Sequence, residues 1–401
     1  SYSRAEVMNE WQEIKLEELI DINQFSIGRN YEFENIRYYD ISSIGTGVAE
    51  DPENLSISEA PSRAKRIIKE GDTILATVRP GNRSFYYFKQ ARENDIASTG
   101  FAVISTKNNL IENKFLYYLI SAQSFTNYLV SNEQGATYPA ITPSVINRAK
   151  INLPSLLTQR KIVKILSNYD DLIVNNLKQI KLLEESARLT YEEWFLRFRI
   201  DGKKLDINPA TDLPFGWEKK SVTECDAFKQ DKRKIKEFEG EKNYYATADI
   251  TRTAITADGE KINWSNKPSR AQIKPNNSTV WFARMSNTYK VLCFNNKNIS
   301  LQDNSVISSG FAGFKARNDL CLPFLYFTIN SKFFHELKDL YATGATQVSL
   351  NNDSMSFIKI IEPSADLVEE FGNRTLLLIE EISVLRCKNQ LLKEAQDILL
   401  P

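Results

Sequence analysis

The chain has 401 residues, 42% hydrophobic and 25% charged, with 51 Lys plus Arg balancing 51 Asp plus Glu. That length predicts two to four domains, and the composition excludes global disorder and fibrous classes. No apolar run approaches the ~20 residues of a membrane span, and no secretory signal is read at the start. Cys225, Cys293, Cys321 and Cys387 include no C-x-x-C pair, so the expectation is a cytoplasmic protein with reduced thiols and no zinc or other metal site.

Residues 1–154 mix β-branched and aromatic runs with Gly, Asn and Pro. "DTILATV", "FYYF" and "GFAVIST" predict strands joined by turns, and 113–131 predicts one amphipathic helix. After Pro154 the texture turns helical, with Ser155 placed to cap the helix. Ile162, Leu166, Tyr169, Ile173, Asn176, Ile180, Leu183, Ala187, Thr190 and Trp194 step 4,3,4,3 along it, which is a heptad seam. Residues 201–363 return to the strand texture in "STVWFARM", "KVLCF" and "NSVIS", with a helix predicted over 322–341. Ser364 then caps a second helix, whose seam is Phe371, Thr375, Leu378, Ile382, Leu385, Asn389, Leu392, Gln396 and Leu399.

The two halves are one unit written twice. Trp11 is echoed by Trp217, Tyr38-Tyr39 by Tyr244-Tyr245, and "PSRA" at 61 by "PSRA" at 268. "STGFAVIST" at 98 is answered by "SSGFAGFKA" at 308, "KFLYYLISAQSF" at 114 by "PFLYFTINSKFF" at 323, and "GAT" at 135 by "GAT" at 344. All keep one order at offsets of 206 to 210, which marks a tandem duplication. Helices of some 40 residues would run about 60 Å, too long for one small domain to bury, so the two need each other. Asn176 and Asn389 on the seam read either as register-setting residues or as unspecialised polar positions on a wide face.

Net charge is −3 in residues 1–154, +2 in 155–200, +4 in 201–363 and −3 in 364–401. No segment is a polybasic tail, so contact with a polyanion must rest on local patches and on a partner's charge.

A twofold repeat of a mixed α/β domain followed by a long heptad helix resembles the specificity subunit of type I restriction-modification systems. The likeness covers essentially the whole chain. It is carried by "LPSLLTQRKIVKILSNYDDLIVNNLKQIKLLEESARLTYEEWF" (153–195), "LPFGW" (213–217), the pair "GDTILATVR" and "STVWFARMSNTYKV", and "GATQVSLNNDSMSFIKIIEPS" (344–364). It departs from the family pattern in stopping at "QDILLP" and in Tyr138, where the second copy has Gln347.

The resemblance implies an α+β fold: two target recognition domains (1–154 and 201–363), each followed by a long helix (155–200 and 364–401). The helices would pair as an antiparallel coiled coil with pseudo-twofold symmetry. It implies double-stranded DNA with a bipartite site as ligand, docking of two methyltransferase subunits, and restriction and motor subunits reached through the complex. S-adenosylmethionine, ATP and Mg would belong to those partners, with no cofactor on this chain. Two readers on a rigid spacer suit half-sites near one DNA turn apart, about 34 Å. Ile162, Leu166, Tyr169, Ile173, Ile180, Leu183, Trp194, Phe371, Leu378, Ile382, Leu385 and Leu392 are assigned to helix pairing and partner docking. The competing reading is a coiled-coil scaffold whose duplicated domains bind protein.

Base edges are read by Arg at guanine and by Asn or Gln at adenine. Matched turns, "ATVRPGNRSFYY" (76–87) and "FARMSNTYKV" (282–291), offer Arg79, Asn82, Arg83 and Tyr86, then Arg284, Asn287, Tyr289 and Lys290. The Gly-Ala-Thr loops add Thr137 and Tyr138, then Thr346 and Gln347. Arg63 and Arg270 of the PSRA turns are candidate phosphate contacts, as is the basic run 229–245, which reads equally as a solvated surface.

No catalytic centre is legible. Asn208-Pro209-Ala210 lacks the aromatic residue of a methyltransferase loop and reads as a turn. Asp95 with Glu112-Asn113-Lys114 is a common coincidence of charged residues, and the lone His335 reads as a helix-surface residue.

Overall fold

A computed structural model describes residues 11–28, 31–135, 138–257, 259–344 and 348–399. It contains two compact units, one formed by 1–172 with 392–401 and the other by 173–391.

In the first unit the strands are β1 (Gln12–Lys15), β2 (Ile20–Ile22), β3 (Asn35–Tyr39), β4 (Glu53–Ser56), β5 (Ala64–Ile67), β6 (Thr73–Ala76), β7 (Phe85–Tyr87), β8 (Asp95–Ser98), β9 (Phe101–Thr106) and β10 (Lys150–Leu153). The helices are α1 (Asn113–Ser121), α2 (Gln123–Ser131), α3 (Pro143–Arg148) and the start of α4 (Leu156–Tyr191). One sheet has the order β2-β9-β6-β7, a second β4-β3-β8-β5, and β1 pairs with β10.

The second unit repeats the plan with β11 (Glu218–Ser221), β12 (Phe228–Asp231), β13 (Lys242–Tyr245), β14 (Glu260–Ile262), β15 (Ala271–Ile273), β16 (Thr279–Ala283), β17 (Val291–Phe294), β18 (Ser305–Ser308), β19 (Phe311–Ala316) and β20 (Lys359–Glu362). Its helices include α5 (Leu322–Ile329), α6 (Lys332–Leu340), the short Ile299–Asn304, the rest of α4 and most of α7 (Ala365–Leu399). Its sheets run β12-β19-β16-β17 and β14-β13-β18-β15, with β11 on β20. The strand orders are therefore the same, element for element, and the duplication read from the sequence is a duplication of topology.

Each central sheet is buried on both faces. In the first unit Leu75, Ala102 and Ile104 face Phe115, Leu116 and Ile120 of α1, while the alternating Ile74, Phe101 and Val103 pack on Tyr39 and Ala97 of the other sheet. In the second, Val280, Phe282 and Phe314 join the helices and Trp281 and Phe311 the other sheet. Two buried faces require a continuous apolar run, which is why "TILA" and "TVWFA" do not alternate with polar residues. The cross-strand pair Ile74–Val103 becomes Trp281–Gly313. A Cβ on Gly313 would lie 2.4 Å from the Trp281 ring, so the small residue makes room for the large one.

PSRA is a turn in both copies. Ala64 N donates to Pro61 O at 2.8 Å and Ala271 N to Pro268 O at 2.9 Å. Both alanines open a strand, and the register against the neighbouring strand shifts at that residue in each copy.

The helices predicted over 113–131 and 322–341 are each broken in two. Ala122 adopts an extended ψ of 142°, and Ser331 caps α6 by accepting from Phe334 N at 3.1 Å. At the long helices, Ser155 Oγ accepts weakly from Thr158 N at 3.4 Å, whereas Ser364 closes its turn through its backbone carbonyl.

The heptad seams are the buried faces of α4 and α7, except for Leu399, which is exposed. Within the second unit the two helices run antiparallel, with Ile180 and Leu183 against Ile382 and Leu385. Asn176 Nδ2 donates to Asn389 Oδ1 at 2.8 Å, both side chains buried, so of the two readings of these residues the structure supports the register-setting one. Within the first unit Gln396 Nε2 donates to Asp170 Oδ1 at 2.8 Å. Of the seam residues, Leu166, Trp194 and Phe371 are enclosed by this chain, whereas Ile162, Tyr169, Ile173, Leu183, Leu378 and Leu392 are half-buried. The outward side of α4 carries other leucines: Leu182 and Leu189 are exposed on the helix, with Leu196 just beyond it.

Gly372, inside α7, lets the helix backbone approach the segment before α5: a Cβ there would lie 2.0 Å from Leu320 O. Helix propensity alone predicts that Gly372→Ala stabilises by ~1 kcal/mol. The clash predicts instead a loss of about 1–3 kcal/mol, read from urea denaturation. Asn176→Leu strands the amide of Asn389 and is expected to cost about 1–3 kcal/mol. Adding Asn389→Leu is expected to recover most of that loss in the same measurement.

Candidate nucleic-acid interface

The candidate loops follow the best-anchored strands. In the first unit 77–84 links β6 to β7, and in the second 284–290 links β16 to β17. Each lies beside its Gly-Ala-Thr loop. Arg79 N donates to Pro139 O at 2.7 Å, and Gln134 and Ala140 exchange backbone bonds of 2.8 and 2.9 Å. In the second unit Ser286 N donates to Val348 O at 3.0 Å, and Thr343 and Ser349 exchange bonds of 3.0 Å. Gly135 has φ 94°, and a Cβ there would meet Tyr138 O at 2.9 Å, so this turn needs glycine. Two stretches some 60 residues apart in sequence thus form one surface in each unit.

Backbone bonds also align the two turns residue by residue. Thr77 N donates to Gly100 O at 2.8 Å and Arg284 N to Gly310 O at 2.9 Å, which makes Thr77 the counterpart of Arg284 and Ser286 that of Arg79. Arg284 is turned inward. Its guanidinium donates to Phe311 O and Leu350 O, both at 3.1 Å, and to Asn352 Oδ1 at 2.8 Å, and burial pulls its pKa down. It supports the loop and has little left to offer a base.

Arg83 is likewise committed. Its side chain is 12% exposed, donates to Ser121 O at 2.9 Å and lies 3.5 Å from Asp397. Lys290 donates to Thr247 O at 2.7 Å, with burial lowering its pKa. Tyr86 is half-buried, edge-on to Phe88 at 5.0 Å.

What each unit presents outward is shorter. In the first, Arg79 (φ 50°) and Asn82 are exposed, and the Arg79 guanidinium lies 5.4 Å from the ring of Tyr138, itself 71% exposed. In the second, Asn287 (φ 55°) and Tyr289 are exposed. Arg63 is exposed beside Asp40, at 3.7 Å, and Arg270 is exposed. Thr137, Thr346 and Gln347 lie outside the described residues.

In the basic run, Lys232, Lys234 and Lys236 are exposed and Arg233 is bound twice by Asp231, at 2.9 and 2.5 Å. Lys242 lies 5.3 Å from Phe238 and Lys267 4.9 Å from Trp264, and the Phe238 and Trp264 rings meet at 5.8 Å, an aromatic-basic cluster assembled from two separate stretches of chain.

The chemical candidates separate. Asp95 is buried against Arg37 at 3.1 Å, while Glu112 pairs with Arg160 at 2.6 Å. Among the described residues no group of three His, Cys, Asp or Glu is placed to hold a metal ion. Nor is any helix among them long and apolar enough to cross a membrane.

His335 is not on the surface as its sequence context suggested. It is 3% exposed, because the face of α6 that bears it turns under the 284–290 loop, where Tyr289 meets its ring at 4.9 Å. Burial, then the Lys338 cation, pushes its pKa down to about 4, with Asp339 opposing. The unfolded chain takes up a proton between about pH 6.5 and 4 that the folded unit refuses, so stability falls as pH drops through that window. His335→Thr, which carries the residue of the first copy (Thr126), is expected to flatten that fall in urea midpoints measured from pH 6.5 to 4.

A family model described as "Type I restriction modification DNA specificity domain" matches residues 8–185. The chain is similar to the Type I restriction enzyme HindI specificity subunit of Haemophilus influenzae, at 23% identity over 98% of both chains. It is also similar to the MjaIX specificity subunit of Methanocaldococcus jannaschii, at 28% identity over 44% of this chain and 40% of that one. Among solved structures, the HsdS subunit from Thermoanaerobacter tengcongensis aligns over 98% of this chain and 95% of its own at 20% identity and a TM-score of 0.39. The S subunit from M. genitalium aligns over 97% and 95% at 13% identity and a TM-score of 0.49. Residues 8–185 thus match a type I restriction modification DNA specificity domain, the chain is similar over nearly its whole length to a specificity subunit, and its second half repeats the topology of its first.

Proposed function

We propose that each unit reads one half of a bipartite duplex DNA site, and that the chain recruits methyltransferase subunits to that site without performing chemistry itself. The observation that carries this is a repeated scaffold with unlike tips. The strand orders are the same in both units, yet one surface offers Arg79, Asn82 and Tyr138 and the other Asn287 and Tyr289. Equal scaffolds with different donor and acceptor sets suit two different half-sites, since sequence is read by such groups at base edges.

Segments 1–154 and 201–363 would be the recognition domains, and 155–200 with 364–401 the helical parts. Arg63, Arg270 and the lysines of 232–236 would lie on phosphates, which specify nothing by themselves but supply salt-dependent affinity. Arg83, Arg284 and Lys290 would act by holding the loops. For two methyltransferase subunits, the outward leucines of α4, such as Leu182 and Leu189, offer an apolar contact. S-adenosylmethionine, ATP and Mg would be bound by the methyltransferase and the restriction and motor subunits, in the cytoplasm with the DNA.

Exchanging 77–84 for 284–290 is expected to change one half of the methylated motif and leave the other intact, read by methylome sequencing of cells expressing the chain with its methyltransferase subunit. Arg79→Ala is expected to weaken binding of the cognate duplex about 10-fold to 100-fold and to relax one position of that half-site. Methylation by the chain alone, or a partner complex that shifts no DNA and binds protein instead, would overturn the reading in favour of a catalytic subunit or a scaffold.

A further inference from the structure

The second unit encloses a lysine, paired with an aspartate, against its candidate reading loop, at helix positions where the first unit has apolar residues. Lys338, on α6, has a side chain with 0% exposure. Its Nζ donates to Met285 O at 2.8 Å and to Asp339 Oδ1 at 2.5 Å. Asp339 in turn accepts from Asn287 N at 3.0 Å and, through Oδ2, from the Tyr289 hydroxyl at 3.2 Å. The Lys338 ammonium also lies 5.8 Å from the Tyr289 ring, and His335 meets that ring edge-on. Among the described residues, each side-chain bond from this pair to another element ends on residues 285–289.

Enclosing a lysine is costly, and truncating one partner of such a pair leaves the other uncompensated. The fold does not need it. At the offset of 209 that aligns the two GAT loops, Lys338 and Asp339 correspond to Leu129 and Val130. Leu129 is an ordinary core residue at 1% exposure, and Val130 is exposed, its side chain 3.6 Å from where a Cβ on Gly81 of the first loop would lie. The same helix in the same topology is thus stable with two apolar residues there.

What the charged pair adds is local. Asn287 sits in the left-handed region at φ 55°, a conformation that L side chains adopt reluctantly, and its amide is held there by Asp339. Burial on its own would raise the Asp339 carboxyl, but the bonds from Lys338 and Asn287 hold it below the ordinary range and so keep it an acceptor.

We propose that Lys338 and Asp339 are positioning residues for DNA specificity: without touching a base, they fix the conformation in which Asn287 and Tyr289 face the half-site read by the second unit. This rests on the reading of the 284–290 loop as a recognition surface. It predicts an effect on one half-site only, which a general loss of fold would not give.

The test uses the full chain with its methyltransferase subunit, selecting bound duplexes from a randomised DNA library. Lys338→Leu with Asp339→Val imports the first copy's residues and keeps a packed interior; Asp339→Asn is the companion that keeps the shape. Both are expected to lower discrimination at the second unit's half-site about 10-fold, the size of one lost base contact. Selectivity at the other half-site and the thermal midpoint of the first unit should be unchanged.

Wild-type discrimination retained at both half-sites by both variants would overturn the positioning role while leaving the DNA-reading function intact. Equal loss at both half-sites would also overturn it, since the effect would then be global. A wild-type complex that selects no motif would overturn the reading on which the inference stands.

Discussion

Because β6 and β16 each bury alternate residues in two different cores, neither strand can slip by one residue without turning both cores inside out. The loops that leave these strands inherit that fixed origin. Backbone bonds then join each loop to its Gly-Ala-Thr neighbour, so the exposed tips stand on a platform that tolerates little movement. Recognition demands this: a hydrogen bond to a base edge loses its directional value if its donor wanders by an ångström.

The two units meet that demand by different chemistry. In the first, Arg83 reaches back to Ser121 O and Asp397, while Leu129 is buried in the core. In the second, a buried lysine and its aspartate do the holding. Duplication followed by divergence explains the pattern, since a shared core constrains volume and register while each loop is free to acquire its own support. The exchange of Ile74–Val103 for Trp281–Gly313 shows the same freedom inside the core, where summed volume is conserved but its distribution is not.

The long helices divide their surfaces by role. Their seam is occupied by the chain itself, and the single paired amide, Asn176 with Asn389, is a poor source of stability but a good source of register, since a shift of one turn would leave both amides buried without partners. Leucines left on the outward side of α4 are the natural place for another subunit to bury apolar area.

Much of this was legible in the residues. The offsets near 207 gave the repeat, the doubly buried strands announced themselves as unbroken apolar runs, and the 4,3 stepping located the seam down to its two asparagines. These features are set by local periodicity and by volume, which a sequence records directly. The site was only half legible. Arg79, Asn82, Asn287 and Tyr289 stand exposed where a loop reading puts them, but Arg83, Arg284 and Lys290 look identical to surface cations until their partners, carbonyls tens of residues away, are known. His335 looked like a helix-surface residue because nothing local says which face a nine-residue helix turns inward. Sequence by itself thus determined the duplication, the strand runs and the helix seam; tertiary structure alone decided which polar side chains reach outward, because that depends on where distant backbone acceptors lie.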